Sequence, residues 1–180
     1  MLALLASATM AARRPLPFDP IARATELWSD RIGPPDTMAA VTSIMRVHQI
    51  LLATVEPALR PLGLTFARYE GLVLLSFSRT GCLPMRVMGE RLQLHPTSVT
   101  NIVDRLEADA LVRRAPHPTD GRTTLVSITD DGRAKVEAAT KAVTDVDFGM
   151  VGLTVERQRV LTGLLTEIRG AAGDFAPPDG

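Results

Sequence analysis

A short segment, HPTDGR at residues 117–122, carries the side chains whose types and spacing most directly suggest a chemistry. Its turn-forming residues predict the tip of a β-hairpin, and the next residues, TTLVSIT at 123–129, are typical of a β-strand. Asp120 and Arg122 stand on either side of Gly121 at that tip. An arginine on a short loop can enter the minor groove of DNA, where negative potential is concentrated. We interpret Asp120 as the partner that holds the Arg122 guanidinium in place.

A second group of polar side chains lies in the segment HPTSVTN, residues 95–101. Pro96 suits the first position of a helix, and the free N–H groups of a helix start favour a phosphate. No acidic residue occurs between Arg91 and Val103, so the local charge also suits a polyanion. Short hydroxyl and amide groups at this helix start can meet phosphates and base edges. The segment therefore predicts a helix that reads DNA.

The candidate DNA contacts combine this helix start, the hairpin and nearby arginines. They are Arg86, Pro96, Thr97, Ser98, Thr100, Asn101, Arg105, Arg113, Arg114, Asp120, Arg122 and Thr123. The sequence leaves alternatives open: the hydroxyl and amide groups can act as ordinary helix caps, and Arg122 can be a solvated hairpin charge. Of Arg113 and Arg114, we expect one to face the DNA and the other to face solvent or an acidic neighbour.

The elements that must position these side chains are mostly helices. Apolar residues spaced by three and four predict a long helix that ends near Pro61 and Gly63. Two later helices lie so close in sequence that they must cross sharply, which is helix-turn-helix geometry. The apolar positions of the long helix are Val41, Ile44, His48, Leu51, Val55 and Leu59. Predicted N-caps are Asp36, Thr129 and Thr154, and Thr65 is predicted to open the second helix. Predicted first helical residues are Pro84, after the loop RTGCL, and Pro96.

A helix-turn-helix followed by a two-stranded hairpin is a winged helix-turn-helix. In that arrangement, the second helix lies in the major groove of DNA and the hairpin tip reaches the backbone or the adjoining minor groove. The predicted fold class is therefore mostly α with a small β-hairpin.

Composition limits the remaining possibilities. The chain has 180 residues, of which 46% are hydrophobic and 22% charged, and this composition is typical of a globular protein. Its 20 basic and 20 acidic residues balance, so bulk charge does not indicate a nucleic-acid partner. The single cysteine, Cys82, excludes an internal disulfide and a cysteine-rich zinc site and suits a reducing cytoplasm. As a lone thiol, it is either inert or a redox sensor.

The sequence shows no motif for catalysis or targeting. P-loop, G-x-G-x-x-G, H-E-x-x-H and G-x-S-x-G patterns do not occur, and the three histidines are scattered, so we expect no enzyme activity, cofactor or metal. In residues 1–14 the arginines follow a short apolar run, which is the wrong order for a secretory signal. No stretch approaches the roughly 18 to 20 apolar residues that a membrane span needs. We expect a cytoplasmic protein that does not contact the membrane.

Residues 88–134, MGERLQLHPTSVTNIVDRLEADALVRRAPHPTDGRTTLVSITDDGRA, resemble the MarR (multiple antibiotic resistance regulator) family of bacterial transcription factors. They follow that family's order of an L-A-like helix, a T-x-x-[IV]-x-x-L-E recognition helix and a D-x-R wing that ends in [LI]-T-x-x-G. The order of the flanking helices extends the resemblance over residues 36–170, which is most of the chain.

Two positions depart from the family pattern. Ala110 stands where glycine is usual at the end of the recognition helix, so we expect Asp109 or Ala110 to adopt the left-handed conformation at some cost. Met88-Gly89 stands where Leu-Ala is usual in the preceding helix, which we expect to loosen that helix by roughly 1 kcal/mol.

The resemblance implies a homodimer in which the long first helix and the last two helices of each subunit are interleaved. The two wings then lie about one DNA turn apart on a palindromic operator. Family members are mostly repressors that a small anionic or phenolic ligand releases. The implied organisation is a flexible N-terminus (1–17), an extra helix and a long dimerisation helix (18–62), a winged helix-turn-helix (63–130), C-terminal dimerisation helices (131–170) and a flexible tail (171–180).

Three residues are candidates for binding such an effector. Trp28 lies on an extra N-terminal segment, which resembles the tryptophan-bearing helix of the branch that responds to urate and related metabolites. Arg31 is the nearest cation and suits an anionic effector. His48 lies on the apolar stripe of the long helix, where a core or interface histidine is the alternative, and Trp28 can simply pack on the dimer helices. The alternative function is a winged-helix dimer that acts as an accessory interaction module of another regulator, without its own operator.

Overall fold

The computed structural model of the chain describes residues 15–176. They form seven α-helices: α1 (Pro20–Arg31), α2 (Asp36–Leu59), α3 (Phe66–Phe77), α4 (Met85–Leu92), α5 (Pro96–Ala108), α6 (Asp130–Asp145) and α7 (Val155–Ala171). Three strands, β1 (Cys82–Pro84), β2 (Val112–Pro116) and β3 (Thr124–Ile128), and two 3-10 turns, Arg60–Leu62 and Asp147–Gly149, complete them. The mostly α-helical fold with a small β element is confirmed. Of the predicted flexible ends, residues 1–14 and 177–180 lie outside the described residues, whereas residues 15–17 and 171–176 are described.

Side-chain caps place most helix starts where the sequence predicts them. Thr65, Thr129 and Thr154 each accept a hydrogen bond from a backbone N–H in the first turn of the following helix. α5 begins at Pro96, as predicted, because a proline at the first position loses no helical hydrogen bond.

Two predicted helix starts need correction. Asp36 is the first residue of α2 rather than its cap, and the flanking Pro35 offers no side-chain hydrogen bond. Asp36 instead places a negative charge in the first turn, where the helix dipole favours it. Pro84 precedes α4, which begins at Met85, because Pro84 still has the extended backbone of β1.

The predicted hairpin is part of a three-stranded antiparallel sheet. β2 and β3 pair as the hairpin, with Val112 opposite Ile128. β1 pairs with the other edge of β3, with Leu83 opposite Val126, so the strand order is β1-β3-β2. The sequence predicted a loop at β1. A three-residue strand has no readable alternation, and its hydrogen bonds come from a strand some 40 residues later in the chain.

The core lies between α3, α4, α5, α6 and the sheet. Leu72, Met88, Leu106, Val126 and Val143 are each fully buried in it. Met88, one of the two departures from the family pattern, therefore fills the same role as a core leucine. The chain divides into two compact units, and the first ends at residue 149. α6 belongs to this first unit, because its Val143 shares the core. α7 lies in the second unit.

The first half of α2 is apolar but exposed. Of the predicted apolar stripe, Val55 and Leu59 are buried, whereas Val41 and Ile44 are exposed. His48 is exposed too, so the core interpretation of this histidine is wrong. α2 with the following turn, Asp36–Leu62, is long and apolar enough to cross a membrane by length and composition alone. This corrects the expectation that no stretch approaches the length of such a span.

Candidate nucleic-acid interface

α5 separates its apolar and polar residues onto two faces. Val99, Val103 and Leu106 are buried against the core. Six predicted contacts on the same helix are all exposed: Pro96, Thr97, Ser98, Thr100, Asn101 and Arg105. The spacing of the buried residues thus presents the whole polar set to solvent on a rigid element.

The start of α5 is capped by a residue that the sequence analysis did not include among the contacts. The Nδ1 atom of His95 accepts a hydrogen bond from the Thr97 backbone N–H at 3.3 Å. The Thr100 hydroxyl donates to the Pro96 carbonyl at 3.0 Å, as the helix-internal interpretation of that hydroxyl predicted. Its oxygen still has acceptor capacity towards solvent.

The turn between α4 and α5 depends on Gln93. This residue closes α4 in the left-handed conformation, with φ 53°, and its neighbour Leu94 donates from its backbone N–H to the Gly89 carbonyl at 3.0 Å. Sequence analysis missed Gln93 because glycine or asparagine is the usual signal for such a turn. At the other end of α5, Ala110 has φ 59°, so the expected left-handed residue is Ala110 and not Asp109.

Asp120 fixes the backbone of the wing tip, which we define as the loop 117–123 between β2 and β3. Its carboxylate accepts hydrogen bonds from the Arg122 backbone N–H at 3.0 Å and from the Thr123 hydroxyl at 2.7 Å. The Thr123 hydroxyl, followed by the Arg122 amide, lowers the pKa of Asp120. The expectation that Asp120 holds the Arg122 guanidinium is therefore wrong: Asp120 binds the backbone amide of Arg122, and no ion pair joins the two side chains among the described residues.

The side chain of Arg122 is left available at this tip. It is exposed, and the ion pairs among the described residues do not include it. Arg86 and Arg122 line the same cleft of about 420 Å³ between the wing tip and the start of α4. Arg86 also forms an ion pair with Glu90 one turn along α4. The cleft thus brings together two cations that are 36 positions apart in sequence.

Arg114 and Arg113 differ sharply, as the sequence predicted for this pair. The Arg114 side chain is only 24% exposed, and its Nη1 atom lies 2.5 Å from Asp104 and 3.0 Å from Glu107. Glu107 also accepts from the Arg114 backbone N–H at 2.9 Å. Arg113 is exposed on the neighbouring position of β2. Arg114 therefore ties the wing to α5, and Arg113 is the residue of the pair that stays available to DNA.

The acidic residues of α5 are engaged within the protein. Asp104 and Glu107 face Arg114, and Asp109 lies 3.5 Å from Arg68 of α3. Their negative charge is partly compensated by these arginines, which favours approach of a polyanion to the exposed face of α5.

The candidate effector residues lie outside this interface. Trp28 and Arg31 are three positions apart on α1, which places them on neighbouring parts of its surface. Trp28 is 36% exposed, and Arg31 and His48 are exposed. α1 packs on α2.

Comparisons with known proteins agree on one family. The family model described as the MarR family matches residues 62–123. Sco5413, a MarR family transcriptional regulator from Streptomyces coelicolor, is 53% identical in sequence with a TM-score of 0.73, and the match covers 79% of this chain and 99% of Sco5413. A mutant of MarR from E. coli, solved in complex with operator DNA, is 26% identical with a TM-score of 0.65, over 79% of this chain and 97% of that one.

A curated relative gives a similar result over a smaller share of its length. The HTH-type transcriptional regulator TtmR of Methylorubrum extorquens is 32% identical over 131 residues, which is 73% of this chain and 62% of TtmR. The chain thus spans slightly less than two thirds of the length of that relative.

Proposed function

The chain belongs to the MarR family of transcriptional regulators, and we propose that it acts in the cytoplasm as a homodimer that binds a palindromic DNA operator and represses transcription. The observation that carries this proposal is that α5 exposes a polar face and that the wing tip exposes Arg122. Among the described residues, Arg122 forms no ion pair. As a member of this family, the chain is a regulator rather than an enzyme.

In the proposed complex, the exposed face of α5 enters the major groove. Thr97, Ser98 and Asn101 then lie at the helix start, where side chains reach base edges and the backbone N–H groups favour a phosphate. Arg105, one turn beyond Asn101, extends the same face with positive charge, and Arg113 is a separate exposed cation on β2. Because the hydrophobic positions of α5 are fixed in the core, the helix can hold this orientation without DNA.

The wing tip is proposed to contact the minor groove or its flanking phosphates. Asp120 and Thr123 hold the loop, and Arg122 projects from a backbone that its own amide helps to fix. Such preorganisation reduces the conformational entropy lost on binding. Arg86 joins Arg122 in the wing cleft and is a candidate for a phosphate of the same strand.

The proposal of a homodimer is supported by apolar residues that the single chain leaves exposed. On α2 they include Val41, Ile44 and Met45. Within the second unit, Val160, Leu164 and Ile168 of α7 are each more than half exposed. Contiguous apolar surfaces of this kind mark protein interfaces in soluble proteins, and a two-fold dimer would pair two recognition helices with the two halves of a palindrome.

Release by a small anionic or phenolic effector is the third part of the proposal. Trp28 and Arg31 offer a ring and a cation on one side of α1, and His48 adds an exposed imidazole on α2. A ring that stacks and a guanidinium that binds a carboxylate are suited to an aromatic acid.

The experiment that tests the proposal is selection of the purified protein against a pool of random DNA duplexes. We expect enrichment of a palindrome whose half-sites lie about one helical turn apart. Arg122→Ala should weaken binding and lower the dependence of log K on log salt by about one. Lack of enrichment by a folded dimer would instead support the accessory-module function, and an unchanged salt dependence would remove Arg122 from the interface.

A further inference from the structure

Aromatic residues are scarce in this chain, yet more than half of them line one cleft. The chain has five phenylalanines, one tyrosine and one tryptophan. Four of these seven side chains, Phe66, Tyr69, Phe77 and Phe148, line a cleft of about 540 Å³ between α3 and α6. We call this the aromatic cleft. Its volume lies within the range of roughly 300–1,000 Å³ that is usual for small-molecule sites.

The rest of the lining is aliphatic, with two polar residues. Thr140 uses its hydroxyl in a 3.2 Å hydrogen bond with the hydroxyl of Tyr69. Among the described residues that line the cleft, Glu70 is the only one charged at neutral pH. In the described part of the chain, no cation forms an ion pair with it. The cleft therefore presents one uncompensated negative charge among rings and methyl groups.

Glu70 stands at the rim of the cleft. The residue as a whole is exposed, but apolar neighbours desolvate its carboxyl group and raise its pKa. A positive charge placed in the cleft would supply the partner that this carboxylate lacks. An anion in the same place would face both the carboxylate and the negative faces of the rings.

Phe148 lines the cleft in an unusual backbone conformation. Its φ of 50° and ψ of 21° are left-handed, which is rare for a bulky residue. The following Gly149 is pinned against α2, since an added Cβ would lie 3.1 Å from Thr54 and 3.3 Å from Leu51. Such a conformation persists only where the surrounding structure imposes it, and it is concentrated at functional sites. Here it brings a fourth ring to the cleft.

We propose that the aromatic cleft binds an organic cation, such as a quaternary ammonium or phosphonium group that carries aromatic or alkyl substituents. The rings attract the cation through their negative faces, which is how aromatic cages recognise quaternary ammonium ligands, and Glu70 supplies the counter-charge. This site is separate from the Trp28–Arg31 pair, whose positive charge suits an anion. The inference does not depend on DNA binding.

A second copy of the chain is a weaker candidate for the occupant. An unpaired buried charge is strongly unfavourable, so a second copy that covered this cleft would have to place one of its own cations beside Glu70. An organic cation removes the same apolar surface from water and pairs the carboxylate at once.

The test uses two ions of nearly the same shape and opposite charge, tetraphenylphosphonium and tetraphenylborate. Each is titrated calorimetrically into the full-length protein without DNA. We expect saturable binding of one tetraphenylphosphonium per chain, at least about tenfold tighter than tetraphenylborate. Glu70→Gln should lose about tenfold in affinity for the cation. Glu137→Gln, which removes the same charge from an exposed position of α6 outside the cleft lining, should not change it.

A second variant keeps the test independent of how Glu70→Gln folds. Phe148→Gly removes a ring and replaces a strained residue with the one that best accepts the left-handed conformation. We expect several-fold weaker binding of tetraphenylphosphonium and an unfolding temperature that does not fall. Equal affinity for the two ions, or equal affinity of the Glu70→Gln and Glu137→Gln variants, would overturn the proposal. Absence of binding, together with hydrogen-exchange protection of the cleft that rises with protein concentration, would overturn it in favour of a second copy.

Discussion

The winged-helix lobe, which we define as the region from α3 to β3, buries its apolar residues, whereas the first half of the long helix α2 exposes them. In the lobe, Leu72, Leu106 and Val126 are fully buried, and the polar residues of α5 face solvent. In the first half of α2, Ile44 is 42% and Met45 63% exposed. A single chain thus buries the apolar residues of the lobe and exposes its polar ones, whereas the first half of α2 exposes its apolar residues.

The winged-helix lobe and the first half of α2 therefore differ in what a single chain can complete. The winged-helix lobe shares one core with the second half of α2 and with α6, so the recognition helix and the wing are held in place within a single chain. α2 has apolar surface that water would hydrate at a cost of roughly 25 cal/mol per Å². The single chain therefore buries the apolar residues of the lobe but leaves those of the first half of α2 exposed.

The largest expected effect contrasts two leucines. Leu106→Ala should lower the free energy of unfolding by about 3 kcal/mol, because it empties a fully buried site in the lobe. Leu164→Ala removes the same atoms from a residue that is 54% exposed in α7. If the chain were a monomer, this second change should cost less than about 0.5 kcal/mol. Chemical denaturation at several protein concentrations distinguishes a monomer from a dimer. If Leu164 lies in a dimer contact, the loss of unfolding free energy caused by Leu164→Ala depends on protein concentration.

A charge on the exposed face of α2 tests the assembly directly. Met45→Asp should weaken the proposed homodimer by about tenfold or more, because an unpaired carboxylate would enter an apolar interface. Gln49→Asp adds the same charge to an already polar exposed position of α2 and serves as the control. Sedimentation velocity over a dilution series measures both. Equal dissociation of the two variants would mean that Met45 is not in the interface.

The two neighbouring arginines of β2 test the division of labour inside the lobe. Arg114→Ala should lower the free energy of unfolding by about 1.5 kcal/mol, because it removes the guanidinium hydrogen bonds to the Glu107 carboxylate and the Thr100 carbonyl and the ion pair with Asp104. It should leave the salt dependence of DNA binding unchanged. Arg113→Ala should change the free energy of unfolding little. It should lower the dependence of log K for DNA on log salt by about one if Arg113 meets a phosphate. A fall in salt dependence for Arg114→Ala would show that Arg114 leaves its carboxylates to contact DNA.

The smallest expected effect concerns the pH dependence of the wing tip. The pKa of Asp120 is lowered in the folded chain, so its ionised form stabilises the tip above the ordinary aspartate range. That contribution is lost as the pH falls through the lowered folded-state pKa. An NMR titration of the Arg122 backbone amide should therefore report a midpoint below that of a solvent-exposed aspartate. A midpoint at or above the ordinary value would mean that the carboxylate does not hold the turn.

Many of the helix starts were predictable because their signals are local. Thr65, Thr129 and Thr154 cap helices through hydrogen bonds to residues in their own first turn, and Pro96 starts α5 for a reason contained in its own ring. The apolar spacing of α5 likewise predicted which face would be buried. These features need no information about distant segments.

Contacts between distant segments were harder to predict. The strand β1 exists because β3 pairs with it, and the grouping of Phe66 with Phe148 depends on how α3 meets the end of α6. Sequence proximity predicts that Asp120 binds Arg122 but does not say which group of Arg122 it binds. The structure shows a bond to the backbone amide and not to the guanidinium. Gln93 was missed because its left-handed conformation is imposed by the packing of α4 and α5.

The sequence by itself determined the helix order, the polar start of α5, the turn that carries Arg122 and the family resemblance, because each rests on neighbours within a few residues. Tertiary structure alone decided that Arg114 is tied to α5, that Arg86 and Arg122 share a cleft, and that four of seven aromatic rings meet around Glu70. Those arrangements join residues far apart in sequence, and only the packing of helices and strands fixes such distances.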